Sequence, residues 1–245
     1  MSTERHYEKA PITEAIIDLR VKLPEGVSLS DLERVHEMVV EEYPERKNRN
    51  LLETRMEVGK SVATSSRSTH IGFLCSSSDS RQVFQARRDG FTMSRLAPYQ
   101  TWAHLRDEAR RLWDVYREIT SPAAIERVAV RYINRLDLPL PLADFRDYVR
   151  TAPEVSPDLP QGLAGFFFQV TIPQEDIGST LLLNEAMVEP ASPNVVSVVL
   201  DIDLFRTNGL SSKEEDLWNL LEKLRERKNE VFEACITDKL RELIR

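Results

Sequence analysis

Apolar and polar residues alternate between Ala15 and Leu23, and this alternation constrains the fold more than any other feature of the sequence. Ile17, Leu19 and Val21 fall on one side of an extended chain, and charged side chains fill the positions between them. A period of two residues is typical of a β-strand with one buried face. The segment therefore predicts a sheet, one face of which is covered by other elements.

A second strand of this kind begins near residue 125, and similar elements follow each of the two strands. The first half is predicted to continue with a helix capped by Ser30 or Asp31, strands near 52–58, 69–75, 82–88 and 91–96, and a helix near 102–120. The second half is predicted to continue with a short helix in "LADFRDYV", strands near 165–173, 179–189 and 194–206, and a helix from about 213 onwards. The stretch 45–51 and the segment "SVATSSRST" (61–69) are predicted to be loops.

These elements predict an α+β protein with a curved antiparallel sheet and long helices packed on one face. Two pseudo-repeated halves, residues 1–122 and 123–245, would build this sheet by a topological duplication, since their sequence identity is slight. The predicted shape is similar to the duplicated fold of the TATA-binding-protein class, and the similarity concerns shape alone. We predict one continuous domain, with two domains as the alternative.

The composition limits the classes of function. A net charge of −7 argues against a protein whose main role is to coat nucleic acid, although a local basic patch stays compatible with it. No apolar run is long enough to cross a membrane, and the N-terminus does not resemble a secretory signal. We therefore expect a cytoplasmic protein in which Cys75 and Cys235 are reduced thiols.

The sequence contains none of the usual local signatures of catalysis. It lacks a glycine-rich phosphate loop, and its four histidines fall on different predicted elements. We therefore predict no catalytic residue and no cofactor. Asp201 and Asp203 lie on one face of a strand, about 7 Å apart, and are weak candidates for a magnesium site or for acid–base chemistry. The alternative is that they are solubilising partners of arginines on neighbouring strands.

Basic side chains provide the main candidate for a binding site. Arg127, Arg131 and Arg135 share one face of their strand, and Arg20 and Lys22 lie on the polar face of the corresponding strand in the first half. On an open sheet face, these residues would suit phosphates, a nucleic-acid backbone or an acidic protein segment. The alternative is a ladder of cross-strand ion pairs with the acidic residues Glu14, Asp18, Glu185, Asp201 and Asp203.

Three further features bear on function. Asn134 is predicted to be a locally satisfied polar group. Phe167 either lies beneath the linker 152–161 or stacks on a nucleic-acid base. The last predicted helix, 213–244, would be about 48 Å long, so it either bends near Asn229 or protrudes. A protruding end would need a partner, either a second copy of the chain or another protein.

The opening "Y.KAPI.EAI.D.RV", "RRDGFTMSRLAPYQTW", "RVAVRYINRLDLP" and the terminal "VFEACITDKLRELI" together resemble a sporadically distributed bacterial family of unknown function. The resemblance implies no reaction or site residue. Its scattered distribution is similar to that of accessory genes, including toxin–antitoxin and phage-defence loci. We expect a non-catalytic protein that binds a partner macromolecule, preferably a protein, through the open sheet face or the C-terminal helix. A nucleic-acid or phosphorylated-ligand binder and a metal-dependent hydrolase are the alternatives.

Overall fold

The computed structural model describes residues 5, 7–58, 62–211 and 213–245, and for residues 53–58 and 62–65 the backbone alone. The strands are β1 (Ile12–Lys22), β2 (Glu45–Val58), β3 (Val62–Ser76), β4 (Gln82–Arg87), β5 (Gly90–Leu96), β6 (Ala124–Pro139), β7 (Phe167–Gln174), β8 (Ser179–Val188) and β9 (Val195–Arg206). The helices are α1 (Leu29–Glu37), α2 (Trp102–Thr120), α3 (Glu214–Cys235) and α4 (Asp238–Leu243).

Within the described residues, the strands form one open antiparallel sheet in the order β2-β3-β4-β5-β1-β6-β9-β8-β7. The predicted α+β class with an antiparallel sheet is therefore confirmed. The strands that open the two predicted halves, β1 and β6, take the middle of this order. Duplicated halves would produce such an order, and the duplication itself stays a prediction.

The chain divides into two compact units. Unit 1 comprises residues 1–16, 96–100 and 127–245, and unit 2 comprises residues 17–95 and 101–126. Each unit takes part of β1 and part of β6. This division has other bounds than the predicted halves, residues 1–122 and 123–245, which stay a prediction.

Unit 2 buries aromatic side chains beneath its helices. Phe84, Phe91, Trp113 and Tyr116 are almost fully buried, and neighbouring rings in this set contact one another. Helix α1 packs against α2, β3 and β4. The helix is capped by Ser28 and not by the predicted Ser30 or Asp31. The Ser28 hydroxyl accepts from the Asp31 backbone N–H and the Asp31 carboxylate accepts from the Ser28 N–H, so both helix-end donors are satisfied.

Two predicted loops of unit 2 are strands. Residues 45–51 open β2, and 62–69 belong to β3, whereas Ser61 lies outside the described residues. These two strands pair with each other from Glu45↔Ser76 to Val58↔Val62. Each strand satisfies the backbone N–H and C=O groups of the other. These hydrogen bonds stabilise two segments whose many polar side chains do not form the alternating pattern typical of a strand.

The core of unit 1 lies between α3 and one face of its strands. Val198, Leu200, Ile202 and Leu204 alternate along β9 and are fully buried. The predicted helix in "LADFRDYV" is wrong: a single 3-10 turn spans Phe145–Asp147. The chain there leaves the helical conformation because the next residues pair with a C-terminal segment.

The C-terminal segment is not one continuous helix from 213 to 244. α3 continues to Cys235, Ile236 is extended and forms an antiparallel bridge with Val149, and Thr237 caps α4. Ile236 and Leu240 are fully buried. The chain itself therefore covers these apolar residues, whereas Leu243 is 38% exposed, and the homodimer through this segment stays a prediction.

Both cysteines are buried, and neither is in a disulfide, as the sequence predicted. None of the helices in the described part of the chain is both long and apolar enough to span a membrane.

Candidate functional site

Strand β6 presents a row of arginines on the face opposite to α3. Its apolar residues, among them Val128, Val130 and Tyr132, are buried on the α3 side. Because side chains alternate along a strand, Arg127, Arg131 and Arg135 project from the other side. All three arginine side chains are partly exposed there. We call this surface the arginine face of unit 1.

Two arginines of this face contact two aspartates of β9. Arg127 Nη2 donates to Asp203 Oδ2 at 2.6 Å. Arg131 binds Asp201 with two parallel hydrogen bonds, from Nε at 2.8 Å and from Nη2 at 2.6 Å. In the antiparallel register of β6 with β9, the residue opposite Arg131 is Asp203. Both ion pairs therefore join neighbouring strands. A bidentate guanidinium–carboxylate pair fixes the orientation of both groups.

Arg135 lies in a separate network at the other end of the row. Its Nε donates to Asp137 at 3.0 Å, and its Nη2 donates to the Ser197 hydroxyl at 2.9 Å and to the Glu189 carbonyl at 2.7 Å. Ser197 in turn donates to Asp137 at 2.5 Å. The structure therefore groups Arg127 with Arg131 around the β9 aspartates and anchors Arg135 independently.

The aspartates lie deeper than the arginines that cover them. The side chain of Arg131 is 42% exposed, whereas that of Asp201 is 7% exposed. Hydrogen bonding to Asp201 raises the pKa of the Arg131 guanidinium above its ordinary value. Burial raises the pKa of Asp203, although Arg127 opposes this effect. A solvent-side molecule therefore meets guanidinium groups first.

Asp201 and Asp203 are each hydrogen-bonded to an arginine of β6. Asp201 accepts from Arg131 and also from the Asn184 amide at 3.0 Å, and Asp203 accepts from Arg127. Among the described residues, no three His, Cys, Asp or Glu side chains are grouped as metal ligands. The magnesium role predicted for these aspartates stays a prediction, and a metal would compete there with arginine.

Arg20 and Lys22 belong to unit 2. Arg20 forms ion pairs with Asp18 and Asp89, and Lys22 is exposed. Asp18 also accepts from Arg87 Nη2 at 3.1 Å. The β4–β5 hairpin thus supplies one cation next to Asp18, and the predicted pairing of Asp18 with the arginines of the second half stays a prediction. The ligand-binding role of Arg20 and Lys22 stays a prediction.

No protein-family model matches this chain, and no curated protein matches it. The family resemblance of the sequence stays a prediction, and the site is defined by its geometry.

Two buried charged residues of unit 1 were not predicted. Glu185 was expected on the polar face, but it lies between Phe168 and Leu200 on the α3 side and is 1% exposed. Burial raises its pKa to about 8. The sequence signal was its spacing of two from Leu183, which predicts the apolar face. Lys228 of α3 is also buried, with Nζ 3.7 Å from the ring centre of Tyr132, and burial lowers its pKa to about 7.

Two smaller expectations have opposite outcomes. Asn134 is buried and donates to the Leu200 carbonyl at 3.0 Å, so the prediction of a locally satisfied group is confirmed. Phe167 is 68% exposed, so the linker does not cover it. Strand β7 ends the sheet order, and an end strand has a neighbour on one side only.

Proposed function

We propose that this protein is a non-catalytic binding protein that engages a protein partner through the arginine face of unit 1. The pairing of Arg131 with Asp201 carries the proposal. The carboxylate holds a half-exposed guanidinium in one orientation, so little side-chain entropy is lost when a partner binds. Arginine is also among the residues most often found at the energetic centre of protein interfaces.

The arginines of this face keep donors that their aspartates do not use. A guanidinium has five N–H donors, and the hydrogen bonds of Arg131 and Arg135 to side chains and backbone involve Nε and Nη2. The remaining Nη1 groups suit carbonyl or carboxylate acceptors of an extended protein segment. An accessory role in regulation or defence, which the family resemblance suggests, is part of this proposal.

The test is a charge swap that keeps the ion pair but reverses the sign of the exposed charge that a partner would contact. In the double variant Arg131→Asp/Asp201→Arg, the cross-strand pair is retained with its polarity inverted. The matched control is Asp114→Arg/Arg117→Asp, which swaps an exposed pair on α2. Each tagged protein is used for affinity capture from cells of the source organism, with quantitative mass spectrometry as the readout.

We expect at least one protein to be enriched by the wild type and by the control, and to be lost from the Arg131/Asp201 swap. Circular dichroism and urea unfolding establish that the swapped protein is folded. Equal enrichment by all three proteins would contradict the proposal, because the arginine face would then be a structural ladder of ion pairs only.

A further inference from the structure

Strand β7 pairs with β8 on one side, and no other described strand pairs with it. We call its second side the free edge of β7. The hydrogen bond from the Met187 N–H to the Phe166 carbonyl shows which residues bond to β8. In an antiparallel pair, opposite residues exchange both backbone hydrogen bonds or none, and the two kinds of pair alternate. Because Phe166 and Met187 exchange theirs, every second residue from Phe168 onwards also bonds to β8.

The residues between them direct their backbone groups to the free edge. Phe167, Gln169 and Thr171 each present an N–H and a C=O there, and none of these groups has a backbone partner among the described residues. Pro173, the next residue of the row, has no N–H, and a strand tolerates proline where the missing donor faces outwards. Successive residues of the row are about 6.8 Å apart, so the matching occupant is another extended strand.

The free edge lacks most of the protection that keeps edge strands apart, which consists of charged side chains, bulges and prolines. No charged residue occurs from position 161 to position 174, in a chain that is 30% charged. The pairing of β7 with β8 is regular, without a bulge. At the other end of the sheet order, four of the first five residues of β2 (45–49) are charged and exposed. Strand addition is therefore opposed at β2 and open at β7.

Exposed apolar side chains lie beside the free edge on both faces of the sheet. Phe167, on the side of the arginine face, is 68% exposed. Val170 and Ile172, on the α3 side, are 36% and 42% exposed. A strand added at this edge would remove part of all three side chains from water, which favours its addition.

The row of backbone groups at the free edge is complementary to itself. When two copies of β7 run antiparallel about a two-fold axis at Gln169, this residue lies opposite its counterpart, and Phe167 lies opposite Thr171 of the second copy. Each of these pairs exchanges two main-chain hydrogen bonds, and no like charges face each other. An axis at Val170 would instead oppose Phe167 to Pro173, whose missing N–H would leave the Phe167 carbonyl without a donor.

We propose that two copies of this chain pair through β7, antiparallel and about a two-fold axis at Gln169. The interface is closed at two copies, because both use the same edge and the charged residues of β2 oppose further addition. Its hydrogen bonds come from main-chain groups at the free edge. It is therefore a second interaction surface, distinct from the Arg131–Asp201 pair to which the proposed function assigns a protein partner.

The test is sedimentation equilibrium of the full chain at several protein concentrations. The mass of the wild type should approach twice that of the 28.2 kDa chain as the concentration rises. Gln169→Lys and Gln169→Glu each place two like charges across the axis, on Cα atoms about 5.5 Å apart, so each should weaken dimerisation at least about tenfold. An equimolar mixture of the two variants should dimerise again, because lysine then lies opposite glutamate.

The matched control is Gln100→Lys, the same substitution at an exposed glutamine of unit 1, and it should dimerise as the wild type does. Circular dichroism and urea unfolding establish that each variant is folded. A wild type that is monomeric at every concentration, equal dimerisation of Gln169→Lys and Gln100→Lys, or a mixture of the two Gln169 variants that stays monomeric would overturn the proposal. None of these variants replaces Arg131 or Asp201, so this outcome is separate from that of the proposed function.

Discussion

Replacement of Glu185 by glutamine should make the protein more stable at alkaline pH. The wild-type carboxyl group is buried, and neither of its oxygens has a hydrogen-bond partner among the described residues. Its environment on the α3 side is apolar, between Phe168 and Leu200, and the thiol of Cys235 is close enough for a charge on Glu185 to raise the pKa of that thiol. An ionised carboxylate is therefore costly in this position.

The size of the effect follows from the pKa of the group in the two states. Burial raises the pKa of Glu185 from 4.5 to about 8, so between these values the folded protein holds a proton that the unfolded chain has released. Stability is highest below about pH 4.5 and falls as the pH rises towards 8. Between pH 5 and pH 8, this single group lowers the free energy of unfolding by about 3 kcal/mol at 1.36 kcal/mol per pH unit. Glutamine has no proton to lose in this range.

The assay is urea unfolding of the wild type and of Glu185→Gln at several pH values. The free energy of unfolding of the variant minus that of the wild type should increase by about 3 kcal/mol from pH 5 to pH 8. The control is Glu189→Gln, which makes the same substitution at an exposed glutamate of the same unit. A difference for Glu185→Gln that is the same at both pH values would refute the reasoning.

Two other changes test the packing of the units. Gly90→Ala should lower the free energy of unfolding by more than about 1 kcal/mol, because the added Cβ would lie 2.1 Å from the Leu19 carbonyl oxygen at a φ of +153°. Gly162→Ala, where no atom lies within 4 Å of the added Cβ, is the control in the same urea experiment, and equal effects would contradict the structure. Leu240→Ala should lower the free energy of unfolding by about 2–5 kcal/mol, because this residue is fully buried within its own chain. For the same reason, the loss of thermal midpoint relative to the wild type should be independent of protein concentration. A loss that grows with concentration would instead favour a dimer through the C-terminal segment.

Local periodicity predicted elements wherever one strong pattern extended over a whole segment. β1 was predicted from its alternation and α2 from apolar residues at helical spacing, because each segment has one buried and one exposed face. The β2–β3 pair was partly missed, because a polar strand gains its stability from hydrogen bonds to a neighbour that local sequence does not identify. The short turn at Phe145–Asp147 was predicted as a helix because the local sequence does not show that the residues after it pair with the C-terminal segment.

For the candidate site, the sequence by itself determined which side chains share a strand face, and the tertiary structure alone decided what those side chains meet. Alternation placed Arg127, Arg131 and Arg135 together, since the side-chain period of a strand is a property of its backbone. The pairing of Arg131 with Asp201 depends on the register between β6 and β9, and the burial of Glu185 depends on the position of α3. Both result from contacts between segments far apart in the chain, whose geometry is set by the packing of the whole unit.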